Sequence, residues 1–214
     1  MTRRPRRLIA VAGTGTEIGK TWVTCRLLES ARARDLHAAA RKPAQSFAPG
    51  EPTDADHLAA AANEMPLAVC PAHRWYAVAM APPMAADVLQ RERIALDELL
   101  AETRWPAALD IGFMETAGGL RSPISHDADN VELIRRLLPD EVLLVADAGL
   151  GTINSVRLSL AVLEAPRVRV FLNRFDASND LHVRNRRWLV EIYQCDVVAT
   201  PEEWLASEGL KGES

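Results

Sequence analysis

Lys20 and Thr21 end a run rich in small residues, Gly13-Thr14-Gly15-Thr16-Glu17-Ile18-Gly19-Lys20-Thr21, which follows a short apolar stretch (residues 8–12) and precedes an amphipathic one (22–33). Strand, glycine-rich loop and helix, in that order, form a cradle whose backbone N–H groups wrap a polyphosphate. Glycine lets the chain approach the anion without a Cβ clash, and the helix N-terminus adds partial positive charge. Lys20 can then reach the outer phosphates, and the Thr21 hydroxyl can ligate Mg²⁺. The usual spacing, G-x-x-x-x-G-K-[ST], would put a glycine at Thr14; the glycine here is Gly13, so the loop is one residue longer. The expected ligand is a nucleoside triphosphate with Mg²⁺.

Further polar groups follow other apolar runs. In Lys42-Pro43-Ala44-Gln45-Ser46, the lysine can act as a second cation for a transferring phosphoryl group. Asp54 and Asp56 come next; a carboxylate here can complete a Mg²⁺ shell, or Thr53 or Asp54 can simply cap a helix. Glu115-Thr116-Ala117-Gly118-Gly119 offers an acid at a strand end as a second Mg²⁺ ligand, and its small residues can form an anion-binding nest. Asn173 has an amide able to donate to and accept from adenine N7 and N6.

These groups need a scaffold that brings strand ends together. Apolar, β-rich runs recur at 8–12, 107–114, 141–146, 168–172 and 196–198, with a short one at 38–41; helical patterns occupy 20–33, 83–91, 95–103, 130–138, 153–163 and 180–193, and a further helix begins near Asp56. Val142-Leu143-Leu144-Val145-Ala146 is apolar on both faces, as a parallel strand between two helix layers must be. The pattern predicts one α/β domain: a P-loop, doubly wound, mostly parallel sheet with helices on both faces. Ligands of such sheets sit beyond the C-terminal strand ends, which every candidate residue above follows.

The chain has 214 residues and a net charge of −4, which gives no reason to expect nucleic acid or an anionic membrane as partner. Arg3, Arg4, Arg6 and Arg7 form one basic cluster, read as part of a flexible N-terminus (1–7); residues 206–214 are read as a flexible tail. No apolar stretch is long enough to span a bilayer. Cys25, Cys70 and Cys195 form no C-x-x-C pair, and isolated thiols fit a reducing cytoplasm.

The motifs together resemble those of the dethiobiotin synthetase family. Residues 13–21 are similar to its G-T-[DG]-T-E-[VI]-G-K-T loop, extra residue included. Residues 42–46 resemble K-P-[VA]-x-[ST], residues 115–119 resemble E-G-A-G-G, Arg121-Ser122-Pro123-Ile124 the stretch after it, Leu150-Gly151-Thr152-Ile153-Asn154 resembles L-G-[CT]-[IL]-N, and Leu172-Asn173-Arg174 resembles [VA]-N-[RD]. The resemblance implies a cytoplasmic homodimer with active sites near the dimer interface. It implies ATP- and Mg²⁺-dependent closure of 7,8-diaminopelargonate with CO₂ into a cyclic urea, through a carbamate and its phosphoric anhydride. It also implies roles. Lys20, Lys42, Thr16 and Ser46 would serve the γ-phosphate and carbamate. Residues 13–21 (Gly13, Thr14, Gly15, Thr16, Glu17, Ile18, Gly19, Lys20, Thr21) would bind ATP, with Asn173, Pro201 and Glu202 at the base. Thr21, Asp56 and Glu115 would hold Mg²⁺, Asp56 being preferred to Asp54 because Leu58-Ala59 fits the family's D-x-L-A. Ser46, Thr116, Gly118, Gly119 and Asn154 would meet the substrate, Asn154 across the dimer.

The chain departs from the family at Thr116, where glycine is usual, at Phe47, and at Pro82-Pro83-Met84, where the family has S-P-H. These departures leave open a homologue acting on another acceptor. A ParA/MinD-like ATPase switch or a non-turning-over sensor are further alternatives, although the second lysine that a ParA/MinD loop carries is missing from residues 13–17.

Overall fold

The computed structural model describes residues 4–208. In chain order the elements are β1 (Arg7–Gly13), α1 (Lys20–Arg32), β2 (Ala38–Arg41), β3 (Gln45–Ser46), α2 (Asp54–Ala62), α3 (Pro66–Val69), β4 (Trp75–Tyr76), α4 (Pro82–Val88), α5 (Leu96–Glu102), β5 (Ile111–Glu115), α6 (Asn130–Leu137), β6 (Glu141–Asp147), α7 (Thr152–Leu160), β7 (Val168–Asn173), α8 (Asp180–Glu191), β8 (Asp196–Val198) and α9 (Pro201–Glu208). Six strands form one sheet in the order β2-β5-β1-β6-β7-β8, and every pairing within it is parallel.

Alternate residues of one strand feed two cores, because side chains in a strand point to opposite faces in turn. Ile9 and Val11 join Val23, Leu27 and Leu58 beneath α1 and α2. Ala10 and Ala12 join Ile134, Val156 and Leu189 beneath α6, α7 and α8. Both faces are thus covered, which is why these strands read as continuous apolar runs. The predicted doubly wound α/β fold is the fold observed.

The main departures from the sequence reading are at the start of β5 and at both ends. β5 starts at Ile111 rather than at 107. Ahead of it, Asp110 turns its carboxylate to the His37 N–H (2.9 Å) and Ala108 has φ 55°, so the chain turns before it pairs. The small parallel pair β3–β4 and the helices α3 and α9 had no clear periodic signal. Residues 4–7, expected to be flexible, are tied down: the Arg6 N–H donates to the Leu109 carbonyl (3.0 Å), Arg4 pairs with Asp140 (3.2 Å), and Arg7 opens β1. Residues 206–208 continue α9, which docks through fully buried Trp204, whose indole N–H donates to Glu141 (2.8 Å). The remainder of the two expected flexible ends, 1–3 and 209–214, lies outside the described residues.

Candidate active site

β1 ends at Gly13, and the Thr14 N–H still donates to the Val145 carbonyl (3.0 Å), as if continuing the sheet. The chain then loops away. Glu17 and Gly19 take positive φ, 59° and 87°. Among the described residues, no N–H from Gly15 to Lys20 donates to a protein acceptor, which leaves the cradle's donors available to an anion. The loop is held from outside. Asn173, at the end of β7, donates from its amide nitrogen to the Ile18 carbonyl (2.8 Å), and Arg174 donates to the Glu17 carbonyl (3.0 Å). Glycine is required at 19 on two counts: φ is left-handed, and a Cβ there would lie 2.2 Å from the Asn173 amide nitrogen.

Beside the loop, four elements converge on one charged cluster. Lys42, just past β2, lies 2.7 Å from Asp54 Oδ2 and 2.8 Å from Glu115 Oε1. Thr21 Oγ1 stands 2.8 Å from both Asp54 Oδ1 and Glu115 Oε1. Glu115 is fully buried at the end of β5, and its second oxygen accepts from the Thr24 hydroxyl (2.9 Å). Lys20 reaches back to the Gly15 carbonyl (3.3 Å). Burial, helped by the Lys42 charge, lowers Lys20 to about 8. Burial works against the charge on Lys42 too, but Glu115 and Asp54 overcome it and hold that ammonium above its ordinary range. Burial also opposes ionisation of Asp54, yet Lys42 and the Thr21 hydroxyl keep it below the usual carboxylate range.

The structure turns Asp56, preferred above, away from this cluster. That residue is third in α2, and its carboxylate folds back onto the Thr53 N–H and hydroxyl (both 2.8 Å) as half of a capping box. Asp54, first in the helix, faces Thr21 and Lys42 instead. Helical residues two apart point to nearly opposite sides, so only one of the two can face the cluster.

A cleft of about 740 Å³ opens over this cluster, lined by Thr16, Glu17, Gly19, Lys20 and Thr21 from the loop and the start of α1 and by Lys42, Ser46, Asp54, Ala117, Gly118 and Ser122 from other elements. Its outer wall is apolar, Ala79-Met80-Ala81-Pro82, and the Ser46 hydroxyl donates to the Met80 carbonyl. Several expected contacts are not cleft residues. Thr116 is fully buried behind it, its N–H bonded to the Val11 carbonyl (3.0 Å). Gly119 supports the loop from below: a Cβ on it would come 3.4 Å from Gly15 Cα. Asn154 is exposed on α7, and Glu202 accepts from Ser30 on α1 (3.1 Å); neither these two nor Pro201 lines the cleft.

Three residues were missed by sequence reasoning. Thr24 repeats Thr21's approach to Glu115 about one turn along α1, a spacing that could have been read from the pattern. The Ser122 hydroxyl accepts from the Gly119 N–H (3.0 Å). The Asn130 amide donates to the Ala117 and Gly119 carbonyls (2.7 and 2.8 Å) and so buttresses the 117–119 turn; no local pattern signals that contact. The assembled groups can grip a triphosphate, neutralise it with two ammonium groups, and offer hard oxygens to a divalent cation.

Comparison with known proteins follows that chemistry. A family described as an AAA domain matches residues 7–199. The ATP-dependent dethiobiotin synthetase BioD of Caulobacter vibrioides is 41% identical over 162 residues, covering 72% of this chain and 73% of that protein. The protein of that name from Anaeromyxobacter sp. (strain K) is 41% identical over 182 residues, 81% of this chain and 79% of its own, and the one from Haloferax mediterranei is 37% identical over 199 residues, 90% and 82%. Among solved structures, chloroplast FtsY from Physcomitrella patens matches with a TM-score of 0.53 at 15% identity, covering 92% of this chain and 58% of that one. The signal recognition particle receptor FtsY from Elizabethkingia anophelis, in complex with GDP, matches with a TM-score of 0.52 at 18% identity, covering 92% and 57%. This chain thus spans somewhat more than half of those structures, and at such identity the likeness is one of fold.

Proposed function

The chain belongs to the dethiobiotin synthetase family, and from that premise we propose that it closes 7,8-diaminopelargonate with CO₂ to dethiobiotin, using ATP and Mg²⁺. The observation that carries the reading is the convergence of Thr21, Lys42, Asp54 and Glu115 beside the phosphate loop.

The 7-amino group takes up CO₂ as a carbamate. A carbamate oxygen accepts the γ-phosphoryl group of ATP, and the 8-amino nitrogen then attacks the carbamoyl carbon and expels phosphate. Lys20 and Lys42 neutralise the negative charge that gathers on phosphoryl and carbamate oxygens. Thr16 and Ser46, both lining the cleft, bind phosphate or carbamate, and the 117–119 turn offers backbone N–H groups to the substrate. The donor set fits Mg²⁺, which takes one or two carboxylates together with phosphate oxygens and water. Thr21, Asp54 and Glu115 would be those protein donors, and the Lys42 ammonium held between the two carboxylates supports a site built for positive charge. Bound there, Mg²⁺ supplies charge neutralisation for phosphoryl transfer. Asn173 would read adenine with the amide oxygen left over from its bond to the loop, and Pro201 and Glu202 would complete the base site.

We further propose a cytoplasmic homodimer of single-domain protomers, with Asn154 reaching the substrate carboxylate of its neighbour. Leu150 and Leu158 at either end of that α7 stretch are 92% and 64% exposed, which supports cover by a second copy. Among the described residues no helix is long and apolar enough to cross a membrane. The case for a different acceptor weakens with the positions of the departures: of Thr116, Pro82 and Met84, only Pro82 lines the cleft. The test is turnover with ATP, Mg²⁺, bicarbonate and the diamine, followed by mass analysis. A cyclic urea is expected. ATP consumption without it would overturn the acceptor assignment.

A further inference from the structure

Trp22 follows the Lys20-Thr21 pair on α1, yet it is 53% exposed. A Cβ on Gly19 would lie 4.0 Å from Trp22 Cβ and 2.2 Å from the Asn173 amide nitrogen, so the base of the Trp22 side chain and an amide flank the last glycine of the loop. Arg26 lies over the indole, its guanidinium carbon 5.6 Å from the ring centroid, and is itself held by Glu29 (2.8 Å). Ser30 donates to Glu202 at the start of α9 (3.1 Å). Trp22, Arg26 and Ser30 are spaced by four and share one face of the helix. That face runs from the phosphate loop and Asn173 to the first turn of α9.

We propose that Trp22 is the stacking platform for the base of the bound nucleotide. The proposal rests on the phosphate-loop reading above. A triphosphate gripped by the loop directs its nucleoside past Gly19, toward the face that Trp22 opens. A ring backed by a guanidinium on one side offers a flat apolar surface on the other. Every base has a π-face, so stacking adds affinity without choosing among bases. Trp22 therefore contributes grip, and the choice of adenine falls to Asn173.

The test is calorimetric titration of the full chain with ATP, GTP and inorganic tripolyphosphate in the presence of Mg²⁺. Trp22→Ala is expected to weaken ATP and GTP alike by roughly tenfold, the scale of one base–aromatic stack, and to leave tripolyphosphate within about twofold of wild type, since that probe has no base. Trp22→Phe, which keeps an aromatic face, should stay within about threefold for ATP. The proposal is overturned if Trp22→Ala binds ATP as the wild type does, or if it loses tripolyphosphate in parallel with ATP. A wild-type chain that binds neither ATP nor tripolyphosphate overturns the phosphate-loop reading and this proposal with it, and is told apart from the first two outcomes by the wild-type titration alone.

Discussion

The Lys42 ammonium lies 2.8 Å from Glu115 Oε1, with both side chains almost wholly removed from solvent. A buried ion pair is costly to assemble and costly to break, since removing one partner strands the other. Here the pair is shared with Asp54 and Thr21, so it acts as a preformed polar nucleus rather than as a staple.

Glu115→Gln keeps the shape and removes the charge. We expect Mg²⁺-dependent ATP turnover to fall by about 100-fold or more, the scale of losing one group that stabilises transition-state charge. Nucleotide binding without Mg²⁺ should change by less than about threefold, because the loop amides do not depend on Glu115. Equal losses in the two measurements would remove Glu115 from the metal shell.

Asp54→Asn and Asp56→Asn separate site from scaffold. Asp54→Asn should impair Mg²⁺-dependent turnover and raise the Mg²⁺ concentration for half-maximal rate. Asp56→Asn should weaken the α2 cap by about 1 kcal/mol, lowering Tm by roughly 2–4 °C, with turnover retained. Kinetics and melting curves of both variants decide it; the opposite pattern would restore Asp56 to the site.

Lys20 titrates near 8 instead of its ordinary 10.5. Its charge is therefore present below about 8 and lost above it, so ATP affinity of the free protein should decline as pH rises through that value. Stability has the opposite sign. Between about 8 and 10.5 the unfolded chain holds a proton at Lys20 that the folded chain has released, so this group's contribution to stability improves as pH rises through that window. Lys20→Ala should abolish ATP binding, and Lys20→Arg should remove the decline near 8, because a guanidinium stays charged. A Lys20→Arg profile that still breaks there would assign the titration to another group.

Gly19→Ala meets two obstacles, the left-handed φ and the Asn173 amide 2.2 Å from the new methyl. We expect lost nucleotide binding and a lower Tm. Adding Asn173→Ala should recover only part of the Tm, because it removes the clash but not the backbone strain of about 1 kcal/mol or more. Full recovery would show that φ is harmless there.

Much of the site was legible because its signals are local. The phosphate loop declares itself through glycines between an apolar run and an amphipathic one, and Glu115 through an acid that closes a buried strand. The alternation of strands and helices carries the fold for the same reason: burial on both faces writes a continuous apolar run into the chain. The choice between Asp54 and Asp56 is not local in this sense. Both carboxylates sit in the first turn of one helix, and only the position of α2 against Thr21 and Lys42 decides which faces the cluster. Asn130 was likewise invisible, since it acts on backbone groups of a turn far away in the chain. The sequence by itself determined the chemistry available and the order of the elements. The tertiary structure alone decided which oxygens meet, because parallel strands bring their C-terminal ends to one edge and the helices that follow set the direction of each side chain there.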